Sequence, residues 1–248
     1  IPDAVAFAIH TPGGTIVHTG DFKIDCTPIE GSMIDLAKFG ELGKKGVLAL
    51  MSDSTNVERA GYTMSERTVG EKFETIFKGT RSRIFVATFA SNVDRVQQII
   101  NAAVRNRRKV AVSGRSMINI IDVASTLGYL KIPEGTMIPI EDVKKYQDHQ
   151  LVIIHSALTE VHVSGHACRE ELKIIMGLVK PKFFIPVHGE SRHLRRHAML
   201  GEEMGIGRKN IFKLENGSVL ELTSDTAKVT GTVQAGEVLV DGYGGIAA

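Results

Sequence analysis

Apolar residues come in short runs along this chain, and run after run ends in a turn that carries a polar side chain. Thr15 to Thr19 alternates as a strand does, Gly20 breaks the alternation, and Asp21 is delivered at the strand's C-terminal end. Before it, Ala4 to His10 reads as a strand, and Thr11-Pro12-Gly13-Gly14 as the turn of a hairpin, where Pro sets φ and Gly supplies positive φ. Asp35 to Lys44 is predicted helical, closed by Gly43 and Gly46, and Val47 to Met51 is a buried strand leading to Asp53. Thr63-Met64-Ser65-Glu66 has capping-box spacing, ahead of a helix with Val69, Phe73, Ile76 and Phe77 along one face.

From Arg83 the pattern alternates: strand Ile84 to Thr88, helix Asn92 to Asn106, strand Lys109 to Val112, helix Ser116 to Leu127, strand Leu151 to Ile154. This predicts a parallel α/β sheet with right-handed crossovers, whose ligands sit beyond the strand C-terminal ends. Phe89, Ser91 and Asn92 stand at one such end and Arg115 at another, each leading into a helix N-terminus that favours a phosphate. Ser91, Asn92 and Ser116 read equally well as plain helix caps. Arg115 is different, because a guanidinium at a helix start opposes the dipole unless an anion offsets it.

Further on, Ser164-Gly165-His166 enters an amphipathic helix from Arg169 to Val179, with backbone N–H groups at Ser164 and Gly165 suited to a phosphate and His166 suited to donate a proton. Phe183 to Val187 delivers His188. A helix from Ser191 to Met204 bears Arg192, His193, Arg195, Arg196 and His197, read as a solvated basic face. Val219 to Leu222 and Val238 to Val240 are late strands, and Asp241 to Gly245 begins a linker.

Composition adds limits. The chain has 248 residues and is 43% apolar, enough for one large or two small globular domains. Its 30 basic and 28 acidic residues leave a net charge of +2, too balanced to argue for nucleic acid by itself. Cys26 and Cys168 lack CxxC spacing, so neither a zinc ribbon nor a disulfide framework is indicated. No apolar run approaches the roughly 20 residues of a membrane span, and no signal segment is present, so the cytoplasm is the default location. The first residues lack a starting Met and run straight into a strand, as expected of an interior piece of a longer protein.

One strand–Gly–Asp turn is ordinary. Four apolar strands or helix entries ending on Asp21, Asp53, His166 and His188 are not. In that order GDFKID, SDST, VSGH and PVHGE resemble the metallo-β-lactamase-fold nucleases of the β-CASP group, most closely the bacterial ribonuclease J family. The likeness continues through TMSERTVGE, FVATFASN, GRSM and LVKPKFFIPVHGE, and so covers most of the chain.

The resemblance implies an α/β fold: a metallo-β-lactamase αββα sandwich with an inserted β-CASP parallel α/β domain, both incomplete in this sequence. Residues 1–66 and 155–225 are expected in the first domain and 67–154 in the second, with 226–248 a strand and linker toward a C-terminal dimerising domain. It further implies a zinc-dependent ribonuclease, a 5′-to-3′ exonuclease with endonuclease activity, acting on RNA with a 5′-monophosphate. Asp21 is then the carboxylate bridging two zinc ions, His188 a zinc ligand, and Asp53 a carboxylate orienting His166, which serves the leaving 3′ oxygen. Phe89, Ser91, Asn92, Arg115, Ser164 and Gly165 are the implied RNA contacts, and His18 has no family role.

Two departures stand out. The family's HxHxDH motif is absent, so if these residues were the whole molecule, Asp21 and His188 alone would be expected to hold zinc weakly and support little cleavage. In addition, the strand ending at Ile154 meets His155 directly, where the family carries a Gly/Ser-rich CTGSQGE segment and more α/β structure. The rival expectations are a catalytically silent RNA-binding or scaffold subunit of the same fold, and a hydrolase of small esters or thiols.

Overall fold

Alternation near the start of the chain produces a hairpin: β1 (Phe7–Thr11) pairs antiparallel with β2 (Gly14–His18), Thr11 facing Gly14. The computed structural model describes residues 4–29, 32–90, 92–156 and 164–236. These fall into two units: described residues of Ile1–Ile24, Ile34–Thr63 and Gly165–Ala248 in the first, and of Asp25–Met33 and Met64–Ser164 in the second.

In the first unit β2 continues into parallel pairing with β3 (Ala49–Asp53), and β3 pairs in parallel with β8 (Phe183–Val187). The order is β1-β2-β3-β8. Side chains alternate across the sheet, so β3 and β8 bury both faces and read as unbroken apolar runs. Leu50 and Phe184 face helices α1 (Leu36–Lys45), α5 (Arg169–Val179) and α6 (Ser191–Glu203) in a core shared with Phe39, Leu172, Ile175 and Leu200. Ala49, Phe183 and Ile185 face the other way, onto Leu220, Leu222 and Ala227 of the hairpin β9 (Ser218–Leu222) and β10 (Ala227–Thr232). Pro186 is tolerated because β8 is an edge strand among the described residues. Helix α1 lies so close to α5 that a Cβ on Gly43 would stand 1.9 Å from the Leu178 carbonyl oxygen, so glycine is required there.

The second unit has a fully parallel sheet of β4 (Ile84–Thr88), β5 (Lys109–Ser113), β6 (Met137–Ile138) and β7 (Leu151–Ser156), in the order β4-β7-β5-β6. Helices α2 (Glu66–Gly79), α3 (Val93–Arg105) and α4 (Arg115–Thr126) contribute Phe77, Ile99, Ile100, Met117 and Ile121 to the core that covers Val110, Val112, Val152 and Ile154.

Several expectations need correction. Strand β1 begins at Phe7 rather than Ala4, because its partner ends at His18. Strand β7 runs past Ile154 through His155 and Ser156, since β4 and β5 supply partners that far. The N-cap of α2 is Ser65, not Thr63: Ser65 Oγ accepts from Arg67 N at 3.2 Å, while the Thr63 hydroxyl is engaged with Glu171 and the His166 carbonyl. Helix α4 starts at Arg115, so Ser116 is not a cap. His197 is fully buried instead of belonging to a solvated face. β6 was unforeseen, being too short to show a period. Ser91, the strand expected at 238–240 and the linker at 241–245 lie outside the described residues. Among those described, no helix is long and apolar enough to cross a membrane.

Candidate metal centre

Four chain segments of the first unit bring Asp21, Asp53, His166 and His188 together, with one ligand atom of each lying within 4.8 Å of all the others. Asp21 follows β2 through a glycine that the turn demands. Gly20 has φ +60°, and a Cβ there would fall 2.5 Å from the Val5 carbonyl oxygen. Its N–H donates to His18 Nδ1 at 3.0 Å, which gives His18 a structural part in the turn. Asp53 closes β3, and His188 follows β8 with φ +56°, a left-handed conformation costly for a non-glycine residue. Ser54 N–H holds the His188 carbonyl at 3.1 Å. The Ser54 hydroxyl lies 2.9 Å from Nδ1 of buried His197, which packs edge-to-face on Phe184.

The sharpest contact is His166 Nδ1 to Asp53 Oδ2, at 2.7 Å. Asp53 is only 2% exposed. Its other oxygen accepts from Thr55 N at 3.0 Å and Thr55 Oγ1 at 2.8 Å, an Asx-type turn within the SDST stretch. Burial works against the Asp53 charge, but the hydrogen bonds from His166 and Thr55 outweigh it and hold its carboxyl below the ordinary range. His166 moves oppositely: the Asp53 hydrogen bond lifts its pKa above the usual histidine value against the pull of burial, with the charges of Asp53 and Asp21 adding. Asp53 therefore fixes the ring of His166 through Nδ1, which makes Nε2 the nitrogen turned away from that bond. Asp21 and His188 are half-exposed, His188 Nε2 standing 3.7 Å from Asp21 Oδ1, and the His188 and His166 ring centroids are 5.4 Å apart.

Two imidazoles and two carboxylates are the nitrogen and oxygen donors that suit zinc and related divalent ions. The group could thus take a divalent cation, with Asp21 and His188 as the donors that would hold it while Asp53 Oδ2 and His166 Nδ1 bond each other.

The remaining candidates belong to different places. In the second unit Phe89 is 52% exposed at the end of β4, and Asn92 caps α3 by accepting from Arg95 N at 3.1 Å. Arg115 is exposed at the first residue of α4, whose N-cap Gly114 offers no side chain. Ser164 and Gly165 are partly buried just ahead of His166. Thr55, Thr63 and Glu171, which hold the site residues or their backbone, were not foreseen. Only Thr55 had a signal, as Asp-x-Thr is an Asx-turn pattern.

Residues 81–159 match the family described as ribonuclease J, beta-CASP domain, and residues 151–212 match the Zn-dependent metallo-hydrolase RNA specificity domain. A ribonuclease J of Synechocystis sp. is 38% identical over 304 residues, covering 98% of this chain and 48% of that protein. Ribonuclease J 1 of Streptococcus pyogenes is 38% identical, with 98% and 54% covered, and ribonuclease J2 of Bacillus subtilis 35%, with 98% and 55% covered. The chain spans about half the length of the curated relatives it matches. An alignment of 304 positions is longer than a chain of 248 residues, so these relatives carry residues inside the aligned span that this chain lacks.

Proposed function

Because this chain belongs to the ribonuclease J family, with its metallo-β-lactamase fold and β-CASP module, we propose that it carries part of a zinc-dependent ribonuclease acting on RNA phosphodiester bonds. The observation that supports this reading is the convergence of Asp21, Asp53, His166 and His188 within 4.8 Å. We assign residues 67–154 to the β-CASP module, 1–66 and 155–225 to the metallo-β-lactamase domain, and 226–248 to the approach to a further, dimerising domain. The activity proposed is 5′-to-3′ exonucleolysis of 5′-monophosphorylated RNA together with endonuclease cleavage, in cytoplasmic RNA maturation and decay.

Asp21 and His188 would hold the metal. A bound divalent ion supplies a water ionised near neutrality and relieves charge on the phosphate. Hydrolysis breaks the bond from phosphorus to the 3′ oxygen, and that oxygen must gain a proton to leave as an alcohol. His166 is suited to give it: Nδ1–H is committed to Asp53, which holds the ring in place, and its raised pKa extends the protonated range upward from ordinary histidine. Asp53 acts through His166 by fixing its tautomer. Phe89 would stack on a base, and Ser91, Asn92, Arg115, Ser164 and Gly165 would bind phosphates.

The test uses 5′-monophosphorylated, end-labelled single-stranded RNA with zinc, comparing the chain with His188→Ala and His166→Ala. The expected result is nucleotide release from the 5′ end, lost in both variants, with zinc affinity lost in His188→Ala and kept in His166→Ala. RNA bound but uncut by all three forms would identify a silent RNA-binding subunit instead.

A further inference from the structure

Glu171 is fully buried at 0% exposure, and among the described residues it has no cationic side-chain partner. Its charge is met by backbone and hydroxyl donors from three separate segments. Oε1 accepts from Ile24 N at 2.7 Å. Oε2 accepts from Thr63 N at 2.6 Å, Thr63 Oγ1 at 2.7 Å and Cys168 N at 2.8 Å. A glutamate at the third position of a helix commonly caps the residue before it, and the Cys168 bond does that for α5. Capping accounts for one donor of the four and for none of the burial.

What the other donors share is their place in sequence. Ile24 lies three residues after Asp21, and Cys168 lies two after His166. Thr63 reaches the site by a second route: its hydroxyl also stands 2.8 Å from the His166 carbonyl, which accepts from Asn56 Nδ2 at 2.9 Å as well. We propose that Glu171 is a positioning residue for the metal group, its carboxylate tying the segment that carries Asp21 to the turn that carries His166. The proposal rests on reading the four converging side chains as a metal site. Loss of the carboxylate frees both segments at once, which moves Asp21 relative to His166 and slackens the His166–Asp53 hydrogen bond.

Glu171→Gln is the informative substitution. It keeps the volume but turns one oxygen into an NH₂ group that faces donors with a donor. Two readouts apply, zinc affinity by competition with a chromophoric chelator and the His166 tautomer by ¹⁵N NMR on metal-free protein. Zinc affinity is expected to fall about 10- to 100-fold, the usual loss when a group supporting a ligand is removed. The His166 signal should shift from one Asp53-bonded tautomer to a mixture. Glu171→Asp, which keeps the charge, should recover part of both. Lower thermal stability with unchanged zinc affinity and an unchanged His166 tautomer would overturn the proposal. Should Glu171→Gln not fold, Thr63→Val removes only the bridging hydroxyl, and the same two readouts decide. Should the unsubstituted chain bind no zinc, the metal reading fails by itself, and the tautomer measurement still decides whether Glu171 positions His166.

Discussion

Glu171 and Arg108 are both buried charges answered by polar groups of the backbone, yet they hold different parts of the molecule. Arg108, 4% exposed, donates to the carbonyls of Ser82 at 3.0 Å, Leu151 at 3.3 Å and Phe77 at 3.5 Å, and to that of Thr80. Those carbonyls lie at the end of α2 and at the starts of β4 and β7, away from the strand ends that carry Phe89 and Arg115. Glu171 instead gathers segments that lead directly from Asp21 and His166. A buried charge with a full set of hydrogen bonds tells of rigidity. Only the sequence position of its partners tells whether that rigidity serves stability alone or also the geometry of a site.

The largest effect that would sharpen this contrast is Arg108→Met. Four carbonyls lose a charged donor, so unfolding by denaturant should show a loss of about 3 kcal/mol. Zinc affinity should stay at the level of the unsubstituted chain. A fall in affinity matching that of Glu171→Gln would erase the distinction between the two charges.

Next in size is a pH effect from His197. Burial pushes its pKa down to about 3 from 6.5, against a small opposing effect of Asp53, so the folded protein keeps the ring neutral while the unfolded chain takes up a proton. Stability from this residue is therefore complete above the unfolded value of 6.5 and declines as pH falls from there toward 3. Between pH 7 and pH 5 the loss should be roughly 2 kcal/mol in denaturant titrations, and His197→Gln should remove that share of the slope. Arg108 does not titrate in this window, so Arg108→Met should leave the slope as it is. Equal slopes in the unsubstituted chain and His197→Gln would show that burial does not keep the ring neutral.

These positions mark where sequence reading stops. Asp21, Asp53 and His188 were legible because each follows an apolar run, and β3 and β8 because a strand buried on both faces leaves an unbroken stretch. The parallel order of the second sheet followed from strands alternating with amphipathic helices. Glu171 was not legible: its donors at Ile24 and Thr63 are 147 and 108 residues away, and its local setting is that of any helix-capping glutamate. His197 looked like one more base on a polar helix because its partner Ser54 is 143 residues distant.

The smallest effects separate Asn92 from Arg115, two residues that the sequence placed together as phosphate contacts. Asn92 caps α3, so Asn92→Ala should cost about 1 kcal/mol in denaturant unfolding whatever it does to RNA. Arg115 stands exposed at the positive end of α4, and among the described residues it makes no ion pair. Removing a cation from a helix start relieves repulsion, so Arg115→Ala should leave stability unchanged or slightly raised. Its proposed use is an RNA phosphate, and the substitution should then weaken single-stranded RNA binding and flatten its salt dependence by about one counterion. Binding that keeps both its strength and its salt slope would return Arg115 to an ordinary surface residue, while leaving the metal group and its Glu171 support untouched.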